Sequence, residues 1–440
     1  MDGFESGPAA AVTRTRVDQA IAAVWRIESA KIVAGVARLV RDIGLAEELA
    51  GDALVAALEH WPVSGIPDNP GAWLMRTAKN AALDHLRRDK SFREKYVQIG
   101  HDLEAQEAHI VPDFVDDLDV ARNDVVHDDL LRLMFTACHP ILSTEARVAL
   151  TLKLLGGLST GEIARAFLVP EPTIAQRIVR AKRTLGRARV PFELPAPAEL
   201  EERLGPVLEV VYLVFNEGYT ATAGEDWMRP ALMEEALRLG RMLAALAPRE
   251  PEAQGLAALM ELQASRAAAR VDRAGKPVLL LDQDRTRWDG ILIRRGLAAL
   301  ARARLLGEQG PYALQAAIAA CHARARTADE TDWARIAALY GDLARVSPSP
   351  VVELNRAVAV GMAEGPAAGL ALVDALAQDA ALERYQWLPS VRGDLLEKLG
   401  RRPEAAAEFA RAARMATNVR ERDLLLERAR VNAENGRPAI

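Results

Sequence analysis

From Val17 to Asp42, apolar residues recur every three or four positions: Ile21, Val24, Trp25, Ile32, Val36, Leu39 and Val40. That period puts one face of a helix toward a core. Gly44 interrupts it. A second helix is predicted over Ala46–Trp61, with Leu49, Ala53, Leu54, Ala57 and Leu58 inward and Pro62 ending it. Three prolines and two glycines between Pro62 and Gly71 predict a turn-rich loop. A third helix is predicted from about Ala72 to Lys90, with Leu74, Met75, Ala78, Ala81, Ala82 and Leu86 inward.

Leu130–Leu155 is helical in pattern on both sides of Pro140, and Ser143 or Thr144 can start its second piece. Leu158–Arg187 then reads as a helix-turn-helix. Ser159 or Thr160 can cap the first helix, with Glu162 in its first turn. Pro170 stops that helix, and Pro172 falls at the start of the next, where proline is best tolerated. Ile174, Ile178, Ala181 and Leu185 form an apolar stripe on that second helix. Thr173, Gln176, Arg177, Arg180, Arg183 and Arg187 lie largely off it. From Glu171 to Val190 there are six basic residues and one acid. A short basic helix with an apolar back, set at an angle by a tight turn, suits a DNA major groove. An ordinary helical hairpin with a solvated basic face is the plainer reading of the same residues.

Prolines 191, 195 and 197 mark a linker. Beyond them the pattern is helical to the end. Asn216-Glu217-Gly218 is read as a helix stop, Asp272–Gly275 as a turn, and the last third as four helix pairs from Arg294 to Glu434. Leu399-Gly400 followed by Ala405 and Phe409 is similar to a tetratricopeptide repeat, whose stacked helix pairs build a concave face. The expected class is therefore all-α: two small helical domains, the second with the helix-turn-helix, joined by an acidic linker and followed by a helical-repeat, TPR-like domain.

Composition narrows the function. The net charge of -5 over 440 residues excludes a generic polyanion binder, so a nucleic-acid surface must be local. Cys138 and Cys321 are far apart and form no CxxC pair, so neither a disulfide framework nor a zinc cluster is implied, and a reducing, cytoplasmic compartment suits them. Cys138-His139 has no further ligands nearby. Asp282, Asp284 and Asp289 lack the glycine and glutamate spacing of a calcium loop. No apolar run spans a membrane. No Ser/His/Asp set or phosphate-cradling glycine loop points to an enzyme, and no metal or cofactor is expected.

The third helix carries a second face. Trp73, Thr77, Asn80, Asp84 and Arg87 share it, and Arg76–Lys95 holds seven basic and three acidic residues. An aromatic among polar residues suits stacking of unpaired bases, and asparagine suits a base edge. The alternative has Trp73 half-buried against the preceding loop. From His101 to Asp129 ten acids face one arginine, which reads as a flexible acidic linker. Such a linker either solubilises the chain or competes with DNA for the basic faces beside it.

Two motifs, in this order and spacing, resemble the RNA polymerase sigma factors of the extracytoplasmic-function (ECF) type. Ala46–Leu58 with Pro70–Lys90 looks like the first conserved sigma domain, and Thr144–Leu185 looks like the second. The long extension resembles the subgroup with a C-terminal tetratricopeptide-like domain, which shares wording such as LVFNEGY (Leu213–Tyr219), DQDRTRWD (Asp282–Asp289) and SPVVELNRAVA (Ser349–Ala359). The resemblance implies that Glu48 and Asp52 dock on the polymerase core, although the family often has glutamine where this chain has Gly51. It implies that Trp73, Thr77, Asn80, Asp84, Arg87 and Arg88 handle the melted -10 element, beside a base-capturing loop over 62–71. It implies that Thr173, Gln176, Arg177, Arg180, Lys182 and Arg183 read the -35 element. The expected divisions are a disordered tail (1–16), a region 2-like domain (17–96), the linker (97–127), a region 4-like domain (128–190) and the TPR-like domain (196–440). The expected partners are bacterial RNA polymerase core, promoter DNA, and a peptide or protein for the repeat domain. The competing reading is a stand-alone helix-turn-helix regulator with a ligand- or peptide-sensing repeat domain, which leaves the Trp73 face without a task.

Overall fold

The computed structural model describes residues 8–99, 119–167, 169–196, 199–221, 227–273, 276–383 and 385–435. Among them the chain is all-α, with no strand beyond an isolated bridge between Val271 and Pro277. It forms two compact units, 1–210 and 211–440.

The first unit holds α1 (Pro8–Val40), α2 (Ile43–Ser64), α3 (Pro70–Ile99), α4 (Asp119–Ala137), α5 (Thr144–Leu154), α6 (Thr160–Phe167), α7 (Glu171–Arg187) and the start of α8 (Leu200–Tyr219). Of the predicted inward residues, Ile21, Ile32 and Val36 of α1, Leu49, Ala53 and Ala57 of α2, and Leu74 and Ala78 of α3 are buried, whereas Leu58 of α2 is exposed; Trp61 of α2 and Leu133 and Phe135 of α4 complete the core. Asp42 caps α2 by accepting from the Leu45 amide at 2.9 Å, and the Asn69 side chain accepts from the Ala72 amide at 3.0 Å at the start of α3. Proline 62 does not end α2. It lies in the final turn, where few later amides depend on the helix, and the chain stops at Gly65, whose φ of 87° a glycine accommodates.

Several expected boundaries shift. The stretch expected as a disordered tail is helical from Pro8. Helices α3 and α4 run into the expected linker from both ends, and 100–118 lies outside the described residues. The two sigma-like domains are not separate bodies, because α1 packs on α2, α3, α4 and α5. Nor does the first unit end at the proline cluster. Arg203 donates to the Phe135 carbonyl at 3.2 Å, and Arg147 pairs with Glu209 at 3.3 Å, which ties the start of α8 to α4 and α5.

The second unit continues with α9 (Pro230–Leu246), α10 (Pro251–Ala264), α11 (Gly290–Leu306), α12 (Pro311–Arg324), α13 (Trp333–Val346), α14 (Pro350–Ala363), α15 (Pro366–Leu376), α16 (Trp387–Lys398), α17 (Arg402–Met415) and α18 (Val419–Asn435). Proline opens helix after helix, where its missing amide costs nothing. Before α16 the chain breaks: a short 3₁₀ turn ends at Leu382, and α16 begins at Trp387, so that Pro389 falls in its first turn. Ala405 and Phe409 are buried between α16, α17 and α18, with Gly393 against the Phe409 ring. Asp284 and Asp289, the residues weighed as a calcium loop, accept from backbone amides at Thr286 and at Ile291 and Leu292.

Asn216-Glu217-Gly218 does not stop α8, which runs on to Tyr219. Gly218 serves packing instead: a Cβ there would lie 2.3 Å from the Met233 amide nitrogen at the start of α9. Gly218→Ala is expected to destabilise the second unit by about 1–3 kcal/mol, because a backbone must move aside. Denaturant unfolding of the full chain measures it, and an unchanged midpoint would contradict the close crossing.

Burial, with the positive charges of Arg266 and Arg285, pulls His322 down to about 3. The unfolded chain takes up that proton near 6.5. Between these values the unfolded state binds more protons, so stability falls as pH falls through that window. The buried carboxylates Glu252 and Glu421, raised by desolvation, act in the opposite sense. The measure is therefore the difference between wild type and His322→Gln. Wild type should lose up to about 1.4 kcal/mol more per pH unit between pH 6 and 4. Parallel pH profiles would show that His322 is protonated in the fold.

Candidate nucleic-acid interface

The helix-turn-helix is built as its residues dictate. Ser159 and Glu162 form a reciprocal cap on α6: the Glu162 amide donates to the Ser159 hydroxyl at 3.2 Å, and the Ser159 amide donates to the Glu162 carboxylate at 2.7 Å. Pro170 precedes α7 and Pro172 lies in its first turn. Ile174, Ile178, Ala181 and Leu185 are buried against α5 and α6. This leaves Thr173, Gln176, Arg180 and Arg183 exposed and Arg177 half-buried. Thr173, Gln176, Arg177 and Arg180 line an open groove of about 390 Å³ whose other wall is 141–143 and Ala146 at the start of α5. Ser143 caps α5 there, so the positive end of that helix and two guanidinium groups meet in one groove. Such a groove suits a phosphate and the edge of a base.

Lys182 is not in that groove. It donates to the Glu47 carboxylate of α2, which also holds Lys153 of α5 at 3.5 Å. Arg26 and Glu162 are 3.8 Å apart on the same side, both well exposed. Gly157, at a φ of 65°, packs so closely on α1 that a Cβ would lie 2.8 Å from the Ser29 hydroxyl. Sequence reasoning placed Lys182 among the -35 readers and did not find Glu47 or Lys153. Each is an unremarkable charge in its own helix.

On α3, Trp73 is half-buried, set edge-on to Trp61 at 5.4 Å and to His60 at 6.5 Å. One side of its ring is thus committed to the end of α2. The Thr77 hydroxyl donates to the Trp73 carbonyl at 2.9 Å and is satisfied within its own helix. Asn80, Asp84, Arg87 and Arg88 are exposed. Arg87 lies 3.5 Å from Asp84, and Arg88 donates to the Asp84 carbonyl at 3.3 Å. Leu86, expected inward, is exposed, and full burial on this helix ends at Ala82. Glu48 and Asp52 are both exposed on α2, one turn apart. Beside them Gly51 has open space where a Cβ would be, so a longer residue fits there.

Neither cysteine is placed for nucleophilic work. Cys138 is buried with its sulfur 3.3 Å from the Thr151 hydroxyl, and burial pushes its thiol up to about 11. Burial also raises Cys321. Among the described residues no group of three His, Cys, Asp or Glu could hold a metal ion, and no helix is long and apolar enough to cross a membrane.

Comparison with known proteins fits this geometry. Residues 28–92 match sigma-70 region 2, residues 132–185 match sigma-70 region 4, and residues 203–304 match a family of unknown function, DUF6596. An uncharacterised protein of Rhizobium meliloti (strain 1021) is 45% identical over 387 residues, which is 87% of this chain and 89% of that protein. A probable ECF RNA polymerase sigma factor, SigI, of Mycobacterium tuberculosis (strains CDC 1551 / Oshkosh and ATCC 25618 / H37Rv) is 29% identical over 172 residues, covering 39% of this chain and 56% of that protein. No solved structure matches. The α1–α7 region, with its helix-turn-helix, thus defines a sigma-70-type transcription-initiation protein that binds DNA. The chain belongs to the ECF-type sigma factors that carry a helical C-terminal extension.

Proposed function

We propose that this chain binds core RNA polymerase, directs it to specific promoters and promotes melting there, with the C-terminal helices controlling it in cis. The exposed acids Glu48 and Asp52 of α2 dock on the core. Thr173, Gln176, Arg177, Arg180 and Arg183 of α7 read the -35 element. Trp73, Asn80, Asp84, Arg87 and Arg88 of α3 handle the -10 strand, with Thr77 shaping the helix beneath them. Repaying the cost of an extruded base, a few kcal/mol, falls to the loop over 62–71 beside Trp73.

The observation that carries this reading is that one compact unit holds a groove-lining recognition helix and a second basic helix bearing an aromatic. The two promoter elements lie roughly 25 base pairs apart, about 85 Å at 3.4 Å per pair. Helix α7 is meanwhile tied through Lys182 to Glu47 of α2. The reading therefore implies weak promoter binding by the free chain until the core separates α7 from α2.

The test is run-off transcription from the chain's own upstream region, with purified core polymerase and with or without the chain. A defined start that depends on the chain supports the reading. Tight operator binding by the chain alone, with no transcript from several candidate regions, would replace it with a stand-alone regulator.

A further inference from the structure

The stretches LVFNEGY and DQDRTRWD have no task in the proposed promoter recognition, and the fold brings them together in the second unit. Tyr219 ends the first, and Arg285 and Trp288 belong to the second. Between the Tyr219 and Trp288 rings lies the guanidinium of Arg266, 5.9 Å from each centroid. Arg266 is only 9% exposed, and among the described residues its side chain makes no hydrogen bond and no ion pair. Other arginines of the second unit have acceptors. Arg229 is paired with Glu217, Arg241 with Glu261, and Arg428 with Asp394 and Glu397. Arg270 donates to the Tyr219 carbonyl and the Thr220 hydroxyl, and Arg285 to the carbonyls of His322 and Ala325 and the Thr331 hydroxyl.

Further donors around Arg266 lack acceptors. The indole nitrogen of Trp288, at 8% exposure, has no partner, and neither has Nε of Arg285, which lies 4.8 Å over the same indole. Nδ1 of the buried His322, which feels the charge of both Arg266 and Arg285, is also unpartnered. The Arg266 nitrogens are not among the unpartnered atoms sealed from solvent, so an anion can reach a guanidinium that has no counter-charge among the described residues. Planar guanidinium and indole N–H groups together are a donor set for an oxyanion.

We propose that Arg266 and Trp288 form a binding site for a small oxyanion ligand, a carboxylate or a phosphate, within the DUF6596 region, walled by Tyr219 and backed by Arg285. The ligand supplies the acceptors and the negative charge that the described residues leave out. The site is separate from the DNA-reading helices and stands whether or not the promoter reading holds.

The experiment uses the purified full chain and follows its melting temperature during titration with inorganic phosphate or with succinate, against sodium chloride at matched ionic strength. At least one of the two oxyanions should raise the melting temperature saturably above the chloride control, and which one does identifies the source. Arg266→Met, which keeps a side chain of similar length between the rings, should abolish that response. Arg266→Lys, which keeps the charge and loses the fork, should fold and need about tenfold more anion. No response beyond chloride in the wild-type chain overturns the proposal. So does an equal response in Arg266→Met, or an Arg266→Met chain that melts lower while wild type ignores both anions, since Arg266 would then be a stacking residue of the core.

Discussion

Glu47→Arg is expected to open the first unit and to raise the free chain's affinity for double-stranded DNA carrying the -35 element by about tenfold. The carboxylate of Glu47 is the one acidic group shared by Lys182 of α7 and Lys153 of α5. All three side chains are about three-quarters buried, so solvent screens them less than a surface pair. Losing two charge-assisted contacts and placing a third cation among them costs the closed form about 1.4 kcal/mol or more, which is a factor of ten in its population. Small-angle scattering of the free chain should show a larger radius of gyration, and fluorescence anisotropy with duplex DNA should show the affinity gain. Adding Lys153→Glu gives position 47 an opposite charge again and should return the compact form. An open chain with no gain in DNA affinity would mean that contact with α2 does not limit promoter reading. An unchanged radius would mean that Gly157 on Ser29 and the α1–α4 packing close the unit without the ion pairs.

That shared ion pair also marks the limit of what the sequence discloses. Helices were legible because their apolar residues repeat at three and four and because their ends carry chemistry of short range. Ser159 with Glu162 and Pro170 with Pro172 bracket the helix-turn-helix within a few residues of one another. The α7 stripe Ile174, Ile178, Ala181 and Leu185 is buried as the period required, and the outward residues followed from it. Glu47 and Lys182 are 135 residues apart, and nothing local to either marks the pairing. The family resemblance alone counts Lys182 among the -35 readers, although it pairs with Glu47 of α2. Gly218 failed differently. A glycine after Asn-Glu has the composition of a stop, but its requirement is a tertiary one, the passage of the α9 backbone. Likewise Arg266 is one arginine among many in sequence, and only the folded unit distinguishes it from those with acceptors.

Arg177→Ala and Trp73→Ala should separate the two promoter tasks. Arg177 lines the groove between α7 and the capped start of α5 with Thr173, Gln176 and Arg180, where its charge also acts on the exposed Glu145 carboxylate in the first turn of α5. A guanidinium that meets a base edge bidentately discriminates by about 1–3 kcal/mol. Arg177→Ala should therefore lower closed-complex formation by the holoenzyme about 10- to 100-fold and leave the melting of complexes that do form nearly unchanged. On the proposed reading Trp73 acts after that step. Its half-buried ring, steadied by Trp61 and His60, leaves a face on which an unpaired base can stack, worth about 1–3 kcal/mol. Trp73→Ala should leave closed complexes within about twofold of wild type and reduce permanganate-reactive, melted promoter by roughly tenfold or more. The aromatic packing gives a control: Trp73→Phe keeps a ring against Trp61 and should keep the chain's melting temperature, so that a loss of promoter opening in that variant reports on the base and not on the fold. Equal loss of closed complexes in the Arg177 and Trp73 variants would mean that α3 and α7 act together on duplex DNA, and that the division of labour between them is wrong.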